Sequence, residues 1–217
     1  MRIVDGWARS AGPPEKCPSR LCHSSAPDKL YRMAVWDSEH YLQALNFASR
    51  AHRGQTMPGG DEPYLCHLAT VAGEVMSAIA LRANVQRPDL AVVCAVLHDC
   101  VEDTEVELGE LQARFGPAVA AGVAALTKNP ALGDKHAQML DSLTRIQQQP
   151  EEIWMVKLAD RITNLQAPPS YWPDSKVAYY RQEAELIHHT LHRACPVLGP
   201  RLLAKIERYP RPGAGCA

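Results

Sequence analysis

The stretch Ala91-Val-Val-Cys-Ala-Val-Leu-His98-Asp99-Cys-Val-Glu102-Asp103-Thr104 constrains this chain more than any other. A run that is apolar on every side belongs inside a core, so it reads as a buried helix rather than an amphipathic surface helix. Its valines would also suit a buried strand, which periodicity alone does not separate from a helix. Pro88 and Asp89 supply a helix start, because proline in the first turn loses no hydrogen bond. If the helix persists, Glu102 follows His98 by one turn and Asp103 follows Asp99, and the pairs project from one face. Three carboxylates and an imidazole at the end of an apolar helix are costly to bury without a compensating charge. A metal ion is the obvious compensator. The alternative is a helix that merely ends in acids, which the helix dipole disfavours.

At 217 residues the chain fits one ordinary domain with a tail. Its formal net charge of −1 implies no global attraction to nucleic acid or to a membrane, so an anionic substrate must be held by a local cluster. No apolar run approaches the roughly 20 residues that span a bilayer. The N-terminus has no apolar segment of the secretory kind. Seven cysteines, none in C-x2-C spacing, point to reduced thiols and a cytoplasmic setting. Cys17, Cys22 and His23 lack a fourth zinc ligand.

Residues 1–34 carry Gly, Pro and Ser without a period and read as a disordered tail, with Met33 an alternative start. From Asp37 helical signals begin, with Ser38 a candidate N-cap and Tyr41, Leu42, Leu45, Ala48 and His52 in 3–4 spacing before Gly54. Residues 56–62, with Pro58-Gly-Gly, form a loop. Further helices follow on Leu68, Val71, Ala72, Val75 and Ile79; on the Ala91 run; from a Thr104-x-x-Glu107 capping box to Phe115-Gly116; and from Pro117 through Leu126. Later ones lie on Met139, Leu140, Leu143 and Ile146; from Pro150 to Leu165; on Val177, Tyr180, Ala184, Ile187 and Leu191; and on Leu198, Leu202, Leu203 and Ile206. No strand emerges, and the expected fold class is all-α. The body is expected over 35–209, with 210–217 frayed.

Three helices thus offer ligand-type residues: His67, the His98-Asp99 pair and Asp160. Two imidazoles and two carboxylates suit a borderline divalent ion such as Mn²⁺, Fe²⁺ or Zn²⁺ and leave positions open for water and substrate. Each also has a bland reading. His67 can cap its helix, and Asp160 can pair with Lys157 or Arg161. Spacing alone does not bring the helices together.

The order H…HD…D resembles the HD phosphohydrolase superfamily. Ala51-His-Arg-Gly-Gln55, Pro63-Tyr-Leu-Cys-His67, Leu97-His-Asp-Cys-Val-Glu-Asp-Thr104, Phe115-Gly, Leu126-Thr127 and Lys157-Leu-Ala-Asp-Arg-Ile-Thr-Asn-Leu165 narrow this to the hydrolase domain of RelA/SpoT homologues, across roughly residues 38–195. With no synthetase domain in the chain, the resemblance is to the stand-alone small alarmone hydrolases. It implies an HD-domain helical bundle in which His67, His98, Asp99 and Asp160 bind one Mn²⁺, with Fe²⁺ or Zn²⁺ as alternatives. Glu102 and Asp103 match the acid/base pair, and Asn164 matches a residue near the ribose. The implied reaction is hydrolysis of the 3′-pyrophosphate of (p)ppGpp, releasing pyrophosphate.

The chain departs from that pattern in the loop after Gln55. Met57 stands where the family usually has a base-stacking arginine, the loop is a residue longer, and His67 is followed by Leu68 rather than proline. Met57, together with Arg53, is therefore the expected base contact, and (p)ppApp joins (p)ppGpp as an expected substrate. The rival expectations are an HD phosphohydrolase of other nucleotides (5′-monophosphates, dNTPs or a phosphorylated dinucleotide cofactor) and a non-catalytic nucleotide sensor or toxin-neutralising partner. The expected partner is a small nucleotide, with neither nucleic acid nor membrane.

Overall fold

A computed structural model describes residues 36–81 and 85–211. The tail expected over 1–34, Met33, Cys17, Cys22, His23 and the last residues from 212 lie outside the described residues. Among the described residues there is no strand, only an isolated bridge between Thr56 and Pro63. The helices in chain order are α1 (Ser38–Ala51), α2 (Leu65–Leu81), α3 (Pro88–Leu97), α4 (Cys100–Asp103), α5 (Leu108–Phe115), α6 (Pro117–Leu126), α7 (Lys135–Gln147), α8 (Glu151–Asn164), α9 (Asp174–Leu191) and α10 (Leu198–Arg208), with a 3-10 turn at His192–Ala194. No described helix is long and apolar enough to cross a membrane.

The core is built around α3. Every residue from Leu90 to Leu97 is buried, because the helix packs against α1, α2, α6 and α8 and has no face left for water. Its start is tied to α8 through the buried Glu152, whose carboxylate accepts from the Arg87 amide at 2.9 Å. Asp89, in the first turn, pairs with His40 of α1 at 2.8 Å and accepts from the Asp37 amide at 3.1 Å. Helix α8 touches α2, α3, α9 and α10, so α2, α3 and α8 pack mutually at the centre. Cys94, Cys100 and Cys195 are buried free thiols in this core, and Cys66 is exposed and free.

Several local expectations are corrected. Asp37, not Ser38, caps α1, its carboxylate accepting from the Glu39 and His40 amides. Either residue type is a competent cap, and the tertiary contact to Asp89 favours the earlier start. Leu42, Leu140 and Leu203 are exposed, because α1, α7 and α10 bury the stripes centred on Ala44-Phe47-Ala48, Met139-Leu143-Ile146 and Leu198-Leu202-Ile206. A leucine 100° off such a stripe faces solvent. The Thr104–Glu107 capping box does not form. The Thr104 hydroxyl donates to the Cys100 carbonyl and accepts from the Val106 amide, and α5 starts only at Leu108. Helix α3 does not run through to Asp103: it stops at Leu97, turns at His98-Asp99 and resumes as α4.

Close packing of α6 on α3 and α8 depends on Gly122. A Cβ there would stand 2.5 Å from Ile153 Cδ1 and 3.0 Å from Cys94 Sγ. Gly122→Ala is therefore expected to lower the free energy of unfolding by about 1–3 kcal/mol through overpacking. Ile153→Val removes the clashing methyl and alone costs about 0.5–1.5 kcal/mol. Denaturant unfolding of the two single variants and the double variant should show the double well above the additive value.

Candidate metal centre and cleft

The mutual packing of α2, α3 and α8 brings His67, His98 and Asp160 to one buried point. One donor atom from each lies within 4.8 Å of the others. His67 Nε2 is 3.4 Å from His98 Nε2, and Asp160 Oδ1 is 3.6 Å from the first and 3.8 Å from the second. Asp99 Oδ2 adds contacts of 2.9 Å to His98 Nε2 and 3.6 Å to His67 Nε2. Donors about 2.0–2.2 Å from one ion stand at most ~4.4 Å apart, and each of these pairs falls inside that limit. The tight group is thus three residues, with Asp99 joining through the two imidazoles.

The surroundings aim these donors inward. The His98 Nδ1–H donates to the Ala95 carbonyl at 2.9 Å, which leaves the Nε2 lone pair for the cluster. Lys157 Nζ donates to Asp160 Oδ2 at 2.9 Å, and Asn164 Nδ2 donates to Asp160 Oδ1. The bland pairing of Asp160 with Lys157 is therefore present together with the cluster: one carboxylate oxygen serves each. Arg161 turns the other way, to Glu183 at 3.3 Å and over the Tyr180 ring at 4.5 Å. Tyr64 Oη donates to Asp99 Oδ2 at 2.6 Å.

Charge follows this geometry. Burial works against a charged His98, but Asp99 and Asp160 outweigh it and raise its pKa to about 9. Burial would also raise both carboxylates. For Asp99, the His98 charge and hydrogen bonds from His67, His98 and Tyr64 outweigh it, and the carboxyl sits well below its usual range. For Asp160, Lys157 and then His98 bring the value to about 2. The two ionised carboxylates supply the negative charge that holds a proton on His98, and a divalent cation would take that proton's place.

The acidic pair beyond it divides. Glu102 turns to Lys128, accepting from its Nζ and its amide, each at 2.9 Å. Burial works against the Lys128 ammonium, and Glu102 overcomes this to raise its pKa. Asp103 Oδ2 lies 3.4 Å from Tyr64 Oη, and burial followed by Asp99 and Glu102 raises its carboxyl pKa. Asp103 keeps the helical bond of its amide to the Asp99 carbonyl at 2.9 Å and meets the same phenol as Asp99, whereas Glu102 points to Lys128.

Glu102 also opens onto a cleft of about 850 Å³ lined by Lys128, Lys135, Lys176, Tyr179, Tyr180 and Glu183, among others. Lys176 stands 3.9 Å over the Trp172 ring. No hydrogen bond or ion pair among the described residues joins the side chains of Met57 and Arg53 to the cluster. The loop between closes on itself, Met57 N donating to Glu62 O at 2.8 Å and Gly60 N to Met57 O at 3.2 Å. A Cβ on Gly59 would stand 3.5 Å from Tyr171 Oη, so this loop lies against the segment that follows α8. Sequence reasoning gave no role to Tyr64, Gln55, Lys128 or the tyrosines of α9. Only Tyr64 and Gln55 carried a signal, as members of the motifs around His67 and Gly54.

The chain is similar to known proteins in sequence and in fold. The profile described as HD domain matches residues 44–194. The bifunctional (p)ppGpp synthase/hydrolase SpoT of Escherichia coli (strain K12) is 31% identical over 156 residues, 70% of this chain but 21% of that protein. The chain thus spans about a fifth of the length of such bacterial relatives. The guanosine-3′,5′-bis(diphosphate) 3′-pyrophosphohydrolase MESH1 of Danio rerio is 30% identical over 154 residues, covering 67% of this chain and 81% of that one. A solved structure of a metazoan ortholog of SpoT shares the fold with a TM-score of 0.69, at 23% identity, over 81% of this chain and 98% of that one. By its helices, its family match and its homology to SpoT and MESH1, the chain belongs to the HD-domain family.

Proposed function

We propose that this chain is a metal-dependent phosphohydrolase that removes the 3′-pyrophosphate of alarmone nucleotides, (p)ppGpp or (p)ppApp. The observation that carries the reading is the convergence of His67, His98 and Asp160, with Glu102, one turn after His98, lining a cleft that also carries Lys128, Lys135 and Lys176. Relatives whose names state the guanosine-3′,5′-bis(diphosphate) 3′-pyrophosphohydrolase activity support the choice of substrate. His67, His98, Asp99 and Asp160 would hold the ion, and this nitrogen and oxygen set suits Mn²⁺, with Fe²⁺ or Zn²⁺ as alternatives. When bound, such an ion lowers the pKa of water and polarises a phosphoryl oxygen.

The chain's own groups divide the remaining work. Asp103, with its raised pKa and no ion pair among the described residues, is the acid/base group that takes the proton of the attacking water. Glu102 holds Lys128 at the mouth of the cleft, where the ammonium meets phosphate charge. Lys135 and Lys176 extend that positive wall, and Tyr179 and Tyr180 offer aromatic surface to a nucleoside. Asn164, which donates to Asp160, orients that ligand, so contact with the ribose requires it to move or to share its amide. Met57 and Arg53 serve the base from the α1–α2 loop. A cytoplasmic setting belongs to the same proposal.

Three outcomes test this reading. First, Mn²⁺ at about 100 times its dissociation constant should stabilise the protein by roughly 2.7 kcal/mol. His98→Ala should abolish that gain, and a chelator should abolish pyrophosphate release by the wild type. Second, Asp103→Asn should cut kcat by about 10²–10⁴-fold with metal content unchanged. Because Asp103 must be ionised to accept a proton, kcat/KM should rise with pH through its raised pKa. Glu102→Gln removes one cause of that rise, so the acid limb should move to lower pH. Third, a thioether at Met57 loses the cation–π contact of an arginine, worth about 0.5–2 kcal/mol. Guanine and adenine 3′-pyrophosphates should therefore differ by less than about a hundredfold in kcat/KM, and Met57→Arg should shift preference to guanine in competition assays.

A further inference from the structure

Asp99 closes the turn after α3 and Asp103 ends α4 one helical turn later, and one phenol meets both. Tyr64 Oη donates to Asp99 Oδ2 at 2.6 Å and stands 3.4 Å from Asp103 Oδ2. A single hydroxyl proton serves one acceptor at a time. The short bond is the one to Asp99, and Asp103 is the second, longer contact of the same oxygen.

Tyr64 is itself clamped. Its ring stacks on His52 with centroids 4.9 Å apart and planes 24° apart, and it leans on His67 at 5.3 Å. Its amide donates to the Gln55 carbonyl at 2.9 Å. Gln55 Nε2 donates to the Asp103 main-chain carbonyl at 2.7 Å, which makes Oε1 the acceptor for His52 Nδ1, also at 2.7 Å. His52 is therefore the Nδ1–H tautomer, with Nε2 buried and unpartnered. Its ring acts as a spacer, wedged between the Gln55 bond and the Tyr64 face. Gln55 holds Asp103 by its backbone, and Tyr64 bridges the side chains of Asp99 and Asp103.

We propose that Tyr64, braced by His52 and Gln55, is a positioning residue that couples the placement of Asp99 toward the ion to the placement of Asp103 toward the reacting water. The inference rests on the roles given above to Asp99 and Asp103. Hydrogen-bond partners of a ligating carboxylate commonly contribute 10–100-fold to metal affinity or activity. Of the two carboxylate residues, the Gln55 side chain bonds only Asp103, and its main-chain bond to Tyr64 survives a side-chain substitution, so the two supports should be separable.

The test measures Mn²⁺ affinity by titration calorimetry and steady-state kinetics at saturating Mn²⁺ for the full chain, Tyr64→Phe and Gln55→Leu. Tyr64→Phe keeps the stacked ring and loses only the hydroxyl. It should weaken Mn²⁺ binding by about 10-fold or more and lower kcat by about 10–100-fold, with KM within about threefold of wild type. Gln55→Leu should lower kcat and leave Mn²⁺ affinity unchanged. Wild-type metal affinity and kcat in Tyr64→Phe would overturn the proposal, as would parallel losses of metal affinity, helicity and melting temperature in both variants. Should Tyr64→Phe fail to fold, an unchanged kcat in Gln55→Leu overturns it, and a kcat loss with intact metal binding supports it. If the wild type cleaves no 3′-pyrophosphate nucleotide, the functional reading fails, while the calorimetric comparison still decides the role of Tyr64.

Discussion

Two imidazole nitrogens and two carboxylates meet in the apolar junction of α2, α3 and α8, and the rest of the molecule is arranged around keeping them there. Isolated, such groups are costly to bury. Here three of the four have partners outside the donor group, while His67 Nδ1 is buried without one among the described residues. Ala95 fixes the His98 ring, Lys157 takes the outer oxygen of Asp160, and Tyr64 takes a lone pair of Asp99. What remains pointing inward is a compact set of donors. A partly satisfied polar network in a low-dielectric site is expensive, which accounts for how much of the α1–α2 and α8 sequence is given over to supporting it.

The two acids after His98-Asp99 give the site its asymmetry. Asp103 stays one helical turn from Asp99, its amide donating to the Asp99 carbonyl at 2.9 Å, and the residue before it points about 100° away. Glu102 accordingly reaches Lys128 and lines the cleft, while Asp103 stays near Tyr64. Two adjacent acids thereby acquire different environments, one locked to a cation and one with its pKa raised by burial and by neighbouring negative charge. Different environments for like groups are how a site separates a binding role from a proton-transfer role.

Much of the fold was legible in the residues. The apolar run of α3, the proline at its start, the 3–4 spacing of α2, α6 and α9, and the glycine after α5 each carry a local cause that the tertiary structure leaves intact. The misses share one cause. Ser38 against Asp37, the outward leucines at 42, 140 and 203, and the unformed box at Thr104 are choices between locally equivalent options, settled by contacts from elsewhere in the chain.

The site divides along the same line. The residue types and their order, H…HD…D with a following acidic pair, are properties of the sequence, because ligand chemistry depends on which side chains are present and the helical period says which of them are neighbours in one element. Convergence is not such a property. That His67, His98 and Asp160 share one point, that Lys157 and the histidines divide Asp160 between them, and that Glu102 finds Lys128 while Asp103 finds Tyr64 all depend on how the helices pack. Tyr64 and Lys128 acquire their places only there, since each meets its partner across a long stretch of chain, 35 residues to Asp99 and 26 to Glu102, and periodicity within one helix carries no information about distance to another.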